Sequence, residues 1–515
     1  MAGLVPPQLF ENDPDAPPPK PISCSLCTCI CCRKVFPQRY CMTIMLVTGL
    51  TVLYMQRVGL NLAIVDMVIP VIKTEEEALC PRSTDNLNAT SKKIDNNQFD
   101  WNEQVQSYIL LSFYIGYAMG NGVAGYFTDE YGARWFLFGG ALLSTATTAI
   151  IPALADYTHW LWIVISRILT GLGQSTFFPG STSLIARWIP EEQKSSIAAI
   201  VLTSFTVGTI AGNVCTGYII QWTNTWSWVY YIYGILGFIW LLIFYFFVYS
   251  DPYKHPNLSK VEKSILAKIT TPEHLKLPLK RIFSDISMWS IIIGQFGNDF
   301  TLYIIITNMP KYFKSVLNVS THMIGTLLIL PSAACFLGSV LFGLAADYGV
   351  GKLHMRKVTV RIIATIFAIP VSCIFMMLMT ILQCDLIWAN IFLCLAMFMK
   401  AGFYAGVGVM GMDISIHFSG ILIGIASMSG GIAGMTAPYV VGLVATENTF
   451  PQWMLIHYVS TGIGVICTIP YLMFAKDERK DWDYHTNETN PYPTDNVAVC
   501  KRIWVCYRAS NQVQN

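Results

Sequence analysis

Four charged side chains sit deep in long apolar stretches of this sequence: Arg57, Arg167, Asp299 and Lys400. A charge at the centre of a membrane-buried helix costs about 2.5–3.5 kcal/mol on insertion scales, so it faces a bundle interior or a watered cavity and marks a candidate site. The neighbours strengthen that reading. Tyr54, Arg57 and Asn61 fall at i−3, i and i+4, on one helix face. Thr170 and Gln174 share a face with Arg167, Tyr303 with Asp299, and Tyr404 with Lys400. A guanidinium with hydroxyl or amide donors beside it suits a carboxylate or a phosphate. Three positive charges against one negative favour an anion. The alternatives are structural: Arg57 paired to an Asp for packing, or Asp299 paired with Lys400. Asp66, Arg187 and Asp413, near the ends of apolar runs, read as interfacial or gate residues.

The elements that must carry these residues are membrane helices. Only 12% of the 515 residues are charged and mean hydropathy is +0.49; soluble chains carry about 25% charged residues. Apolar runs near the roughly 20 residues needed to span a bilayer recur throughout. Twelve are expected, at 42–70, 104–127, 133–155, 159–186, 195–221, 227–249, 286–310, 322–346, 358–381, 386–412, 419–445 and 452–475. The fold class is therefore all-α, with twelve transmembrane helices in two six-helix halves. The halves are 42–249 and 286–475, flanked by tails 1–41 and 476–515 and joined by a middle loop, 250–285. Residues 1–20 have no leading apolar run, so no cleaved signal peptide is expected.

Lys and Arg concentrate in the N-terminal tail, the middle loop, the loop after the eighth span and the start of the C-terminal tail. Positive loops stay cytoplasmic, which puts both tails inside. The loop 73–103 then faces outward or into a lumen, with a glycosylation sequon at Asn88. Cys24, Cys27, Cys29, Cys31 and Cys32 crowd before the first span beside Arg33 and Lys34. Reversible lipidation suits them; a zinc site and plain thiols are the rivals. No metal site is expected elsewhere. Eight scattered His, no nucleophile motif and no Walker loop argue against an enzyme, and a net charge of +2 against a nucleic-acid partner.

GYFTDEYGAR (125–134) follows the second span and GLAADYGVGK (343–352) the eighth. Both give Gly-x-x-x-Asp with a basic residue five later. The first copy supplies Gly125, Asp129, Gly132 and Arg134 as a gating motif; the second, around Asp347, is degraded, with Gly349 one residue early. This duplicated pattern resembles the major facilitator superfamily, whose halves enclose a site at the midplane. That resemblance implies that the first, fourth, seventh and tenth spans line the cavity, and these are the spans that hold the four charges.

The first span, RILTGLGQSTFFPG (167–180), RWIPEEQKSS (187–196) and SGILIGIASMSGGIAGMTAP (419–438) resemble solute carrier family 17 more specifically. The resemblance covers about residues 40–482 and implies an anion transporter working by alternating access. It implies substrate roles for Arg57 and Arg167, with Tyr54, Asn61 and Tyr303 beside them. It also exposes departures: Gln174 and Thr170 stand where proton-coupled members carry Glu, Met410-Gly411 replaces Asn-His, and Lys400 replaces a small residue. Coupling to H+ or Na+, with Asp299, Lys400 and Gln174 as the cavity groups, and voltage-driven movement stay open. The expected partners are a small anion and the bilayer, the expected state a monomer, and the expected membrane plasma, lysosomal or vesicular. A non-transporting receptor that kept the fold, and a facilitator of neutral solutes, are the alternatives.

Overall fold

The computed structural model describes residues 37–69, 98–131, 133–157, 159–250, 258, 262–263, 279–381, 385–415, 419–476 and 480. Asn88, Gly132 and the five cysteines from Cys24 to Cys32 lie outside them. Among the described residues the chain is helical, with one isolated β-bridge, between Val68 and Phe99.

The N-terminal half holds α1 (Gln38–Met67), α2 (Glu103–Tyr131), α3 (Ala133–Tyr157), α4 (Trp160–Ser175, continued by Phe177–Trp188), α5 (Glu191–Thr223) and α6 (Ser227–Phe247). The C-terminal half holds α7 (Ile286–Ser315), α8 (Thr321–Gly351), α9 (Lys357–Ile381), α10 (Leu386–Ile414), α11 (Ser419–Val444) and α12 (Phe450–Phe474). Ten helices among the described residues are long and apolar enough to cross a membrane; α2 and α5, at 29 and 33 residues, are the other two long ones.

Helix ends depart from the apolar runs because a helix continues past the hydrocarbon for as long as its backbone bonds are met. α1 begins at Gln38, four residues before the run at 42. α7, expected to stop at 310, runs to Ser315 through a π turn at Ile304–Asn308, and α8, expected to stop at 346, runs to Gly351. Such π turns recur at functional sites. α10 is not continuously α-helical either; it tightens to 3₁₀ turns at Ala401–Ala405 and Val407–Val409.

The halves meet along α2 with α11, α5 with α8, and α1 with α7. The meeting is tight toward the end of the bundle that carries Glu103. At Gly431 of α11 a Cβ would lie 2.6 Å from the Cβ of Ala118 and 2.9 Å from its Cα, so only glycine lets α2 approach this closely. Two turns toward the N-terminal end of α11, at Gly424, a Cβ would meet nothing within 4 Å among the described residues. Polar bonds also cross the halves at that end: Lys311 to Glu103 (2.9 Å), Asn448 to Glu103 (2.6 Å) and Lys314 to Asp66 (3.4 Å). At the opposite end of the bundle the described ion pairs stay within the C-terminal half: Arg361 with Asp413 (2.8 Å) and Lys480 with Asp285 (3.0 Å). Burial pushes the Asp285 carboxyl up, but the bonds from Lys480 and Ser287 outweigh it and hold it below its ordinary value. The halves are held together at the end of the bundle that carries Glu103 and Lys311. Gly431→Val should wedge α2 from α11 and cut transport at least tenfold; uptake per copy against Gly431→Ala, which adds one methyl, checks this, with the smaller residue retaining more.

Candidate functional site

Arg57 lies where the halves touch. It is 6% exposed, on the α1 face that also carries Tyr54 and Asn61. Its Nη1 donates to the Tyr54 hydroxyl at 3.4 Å and its Nη2 to the Tyr303 hydroxyl, from the opposite half, at 3.3 Å. Asn61 donates to the Ile306 carbonyl inside the π turn at 3.5 Å. Five rings surround the guanidinium: its Cζ stands 4.7 Å from the Phe113 centroid, 5.0 Å from both Tyr114 and Tyr117, 5.3 Å from Tyr54 and 5.7 Å from Tyr303. A guanidinium over ring faces gains about 0.5–2 kcal/mol per favourable contact. No ion pair to Arg57 forms among the described residues; its partners are neutral hydroxyls and ring faces. The packing alternative of an Arg57–Asp pair is therefore not what this conformation contains. Asp66 is engaged by Lys314 instead.

Arg167 of α4 is buried inside the N-terminal half, and its Nε and Nη1 have no hydrogen-bond partner there. Its Cζ stands 5.0 Å from the same Phe113 ring that flanks Arg57. One aromatic ring thus joins the two guanidiniums. Thr170 shares its hydroxyl with Thr147 at 2.8 Å, and Gln174 donates to the Leu53 carbonyl and the Ser144 hydroxyl, both at 3.0 Å. Gln174 therefore ties α4 to α1 and α3, with its amide nitrogen fully used, although it also borders the cleft beside Arg57.

In the C-terminal half, Asp299 accepts from Gln295 at 2.7 Å and Asn298 at 3.0 Å. Lys400 is 2% exposed and donates to Thr301. The alternative of an Asp299–Lys400 pair is not formed in this conformation: each is held by neutral neighbours on α7. Nor do Lys400 and Tyr404 share a helix face as four-residue spacing implied. The α-helix ends at Lys400, and the 3₁₀ turn leaves Tyr404 39% exposed, its ring 6.3 Å from Phe205 across the halves. So Arg57, Tyr54, Asn61 and Tyr303 converge, Arg167 joins them through Phe113, and Lys400 stands apart inside its own half.

The loop motif is partly described. Gly125 and Asp129 fall within α2. Arg134 opens α3, donates to the Tyr245 carbonyl at 2.6 Å and lies 4.5 Å from the Tyr249 ring. Asp347 is exposed near the C-terminal end of α8.

Two groups escaped the sequence reading. Phe113, Tyr114 and Tyr117 sit at i, i+1 and i+4 on α2, a spacing that could have marked one face. Glu103, Lys311 and Asn448 form the outer bond network. The signal for it was Lys311 and Lys314, two cations in what the apolar-run boundary made an outer loop, against the positive-inside rule.

The Major Facilitator Superfamily model matches residues 46–419 and 291–509. Human sialin is 28% identical over 88% of this chain and 92% of its own length. A putative inorganic phosphate cotransporter of Drosophila melanogaster is 26% identical over 88% and 87%, and bovine vesicular glutamate transporter 2 is 25% identical over 89% and 77%. Among solved structures, a bacterial homolog of the human lysosomal transporter Spinster, inward-facing and occupied, superposes with a TM-score of 0.60 at 12% identity, over 89% of this chain and 100% of that one. The inward-open xylose transporter of E. coli gives 0.59 at 14% identity, over 86% and 98%. These relatives are transporters rather than enzymes, and they include the solute carrier family 17 proteins that the first, fourth, fifth and eleventh helices resemble. The chain is a multi-pass membrane transporter that belongs to the Major Facilitator Superfamily.

Proposed function

We propose that this protein is a secondary transporter of a small anion, moving it by alternating access with Arg57 as the principal anion ligand. The observation that carries the reading is a guanidinium buried at the boundary of the two halves with no carboxylate partner among the described residues. An uncompensated buried charge is expensive, and a transported anion would supply the missing counter-charge. The names of the relatives agree in chemistry: sialin, phosphate cotransporters and glutamate transporters. Arg167, with two nitrogens unpartnered among the described residues, is the second cation near the site. Tyr54, Asn61 and Tyr303 orient the ligand and connect it to α7. The chain works as a monomer in the bilayer.

Coupling is assigned to Asp299. Gln174 and Thr170 do not titrate in the working range, and Asp299 is a buried carboxylate well inside a helix that borders the site. Asp299→Asn should flatten the pH dependence of uptake; an unchanged pH profile removes Asp299 from the mechanism. Purified protein in proteoliposomes, given labelled anions under imposed pH, sodium and voltage gradients, tests the whole reading. Arg57-dependent uptake of at least one anion supports it. Transport of a neutral solute independent of Arg57 overturns it.

A further inference from the structure

At the end of the bundle opposite Glu103, one residue of the C-terminal tail ties two helices together. The Lys480 ammonium donates to both oxygens of Asp285, at 3.0 and 3.2 Å, and to the Ser287 hydroxyl at 3.0 Å. Its backbone N–H donates to the Ile414 carbonyl at 3.2 Å. Asp285 caps the first turn of α7, and Ile414 ends α10. We propose that Lys480 pins the tail as a strap across α7 and α10, that the strap holds back the tip of α10, and that its release favours closure of this end of the transporter.

The tip of α10 is a piece of its own. Gly406 leaves the helical range between the two 3₁₀ turns, at φ −107° and ψ −122°, and a short α-helical turn, Met410–Ile414, closes the helix. A Cβ on Gly406 would stand 2.5 Å from the Thr365 hydroxyl oxygen and 3.0 Å from its backbone nitrogen, so the break needs glycine. Val407, Met410 and Ile414 share an apolar cluster with Met288 and Ile291 of α7 and Leu422 and Ala426 of α11. Apolar contact is non-directional and lets packed helices slide. The polar bonds on the tip are directional, and they come from α9 and the tail. Arg361 brackets the break, donating to the Ala405 carbonyl at 3.0 Å and to Asp413 at 2.8 Å, and Thr365 accepts from the Val407 N–H at 3.0 Å. Lys480 adds the tie to α7. Beside the tip, α11 has room at Gly424, so the tip and the start of α11 can approach the N-terminal half once the ties yield. An incidental contact of a solvated tail would not look like this. Fixing so long a side chain costs rotamer freedom, which a fully exposed pair scarcely repays. Here the lysine and aspartate side chains are 18% and 15% exposed.

Full-length protein in lipid nanodiscs tests this at both ends. Hydrogen exchange of the Met410–Ile414 amides reads the tip. Maleimide labelling in a Ser107→Cys background reads the Glu103 end, where Ser107 is 1% exposed. Closure at one end and opening at the other belong to one alternating cycle. Lys480→Gln should therefore speed both exchange and labelling about fivefold, the most that a partly exposed ion pair is worth. Lys480→Arg, which keeps a forked donor for the carboxylate, should stay close to the parent. Asp285→Asn still caps α7 and should match Lys480→Gln. The double variant should go no further than either single one, because both remove the same bond. Unchanged exchange in Lys480→Gln overturns the strap. So does faster exchange with unchanged or slower labelling, since the tip would then be loosened without holding anything back. Additive effects of Lys480→Gln and Asp285→Asn overturn it as well. Should Lys480→Gln not assemble, Asp285→Asn read in the same two ways decides. Neither measurement needs a substrate, so the strap stands or falls apart from the reading of Arg57.

Discussion

Arg57→Ala abolishes anion uptake while the protein still folds and reaches its membrane. That outcome is expected because the substitution removes a buried charge whose protein partners are only neutral. Tyr54 and Tyr303 lose a donor each at 3.4 and 3.3 Å, and a hydroxyl can turn to another acceptor. No carboxylate is orphaned, so the usual penalty for breaking a buried ion pair, about 3–5 kcal/mol, does not arise. The anion, by contrast, loses its counter-charge in a dry, ring-lined setting. Truncating one side of a desolvated charge contact costs 2–5 kcal/mol or more, which is roughly 30- to several-thousand-fold in uptake at low substrate. Arg57→Lys is the sharper test. Lys keeps the charge but cannot reach two tyrosines and an anion through one planar fork, so uptake should fall about tenfold or more with trafficking intact. Uptake per copy, normalised to surface or vesicle protein, reads both variants. Normal uptake by Arg57→Ala protein places the site elsewhere; intracellular retention of both variants would make Arg57 a packing residue.

The charges of the candidate site were legible because an apolar run makes a charge conspicuous, and the succession of long apolar helices, ten of them able to span among the described residues, was legible because hydrocarbon thickness fixes run length. The cage around Arg57 was not. Phe, Tyr and Trp make up 13% of the chain, most of them packing in spans. Which five rings converge depends on how α1, α2 and α7 approach, a matter of tertiary packing that periodicity along one helix cannot carry. The same limit explains Asp299 and Lys400. Opposite charges in neighbouring helices suggest a pair, but amides one and four residues from Asp299 satisfy it locally, and Thr301 takes Lys400. The end of α7 was misread for another reason: hydropathy stops at the first lysine, whereas the helix runs on because Lys311 and Lys314 have acidic partners across the interface.

Those partners lead to the second large effect. Removing the outer bonds should turn the protein outward. Glu103 at the start of α2 holds both Lys311 of α7 and Asn448 between α11 and α12, and Lys311 is 5% exposed. In Glu103→Gln the amide fills the same space without the charge, leaving Lys311 buried and unpaired. The cost, about 3–5 kcal/mol, is relieved when the halves part outside and water reaches the ammonium. A bias of 3 kcal/mol changes the ratio of the two states by more than a hundredfold. Ser107 reports it: one turn along α2 and 1% exposed, it sits where a Cβ on Gly442 of α11 would strike it. In a Ser107→Cys background, an impermeant maleimide added outside should label Glu103→Gln protein at least tenfold faster than its parent, over the labelling of the unsubstituted chain. Adding Lys311→Gln should return labelling toward the parent, because no orphaned charge then remains. The exchange Glu103→Lys with Lys311→Glu should restore closure, since the bond is remade with its ends reversed. Unchanged labelling in Glu103→Gln, or an exchange that behaves as the sum of two losses, would show that α2 and α7 are held together by apolar packing and that the ion pair does not govern the outer gate.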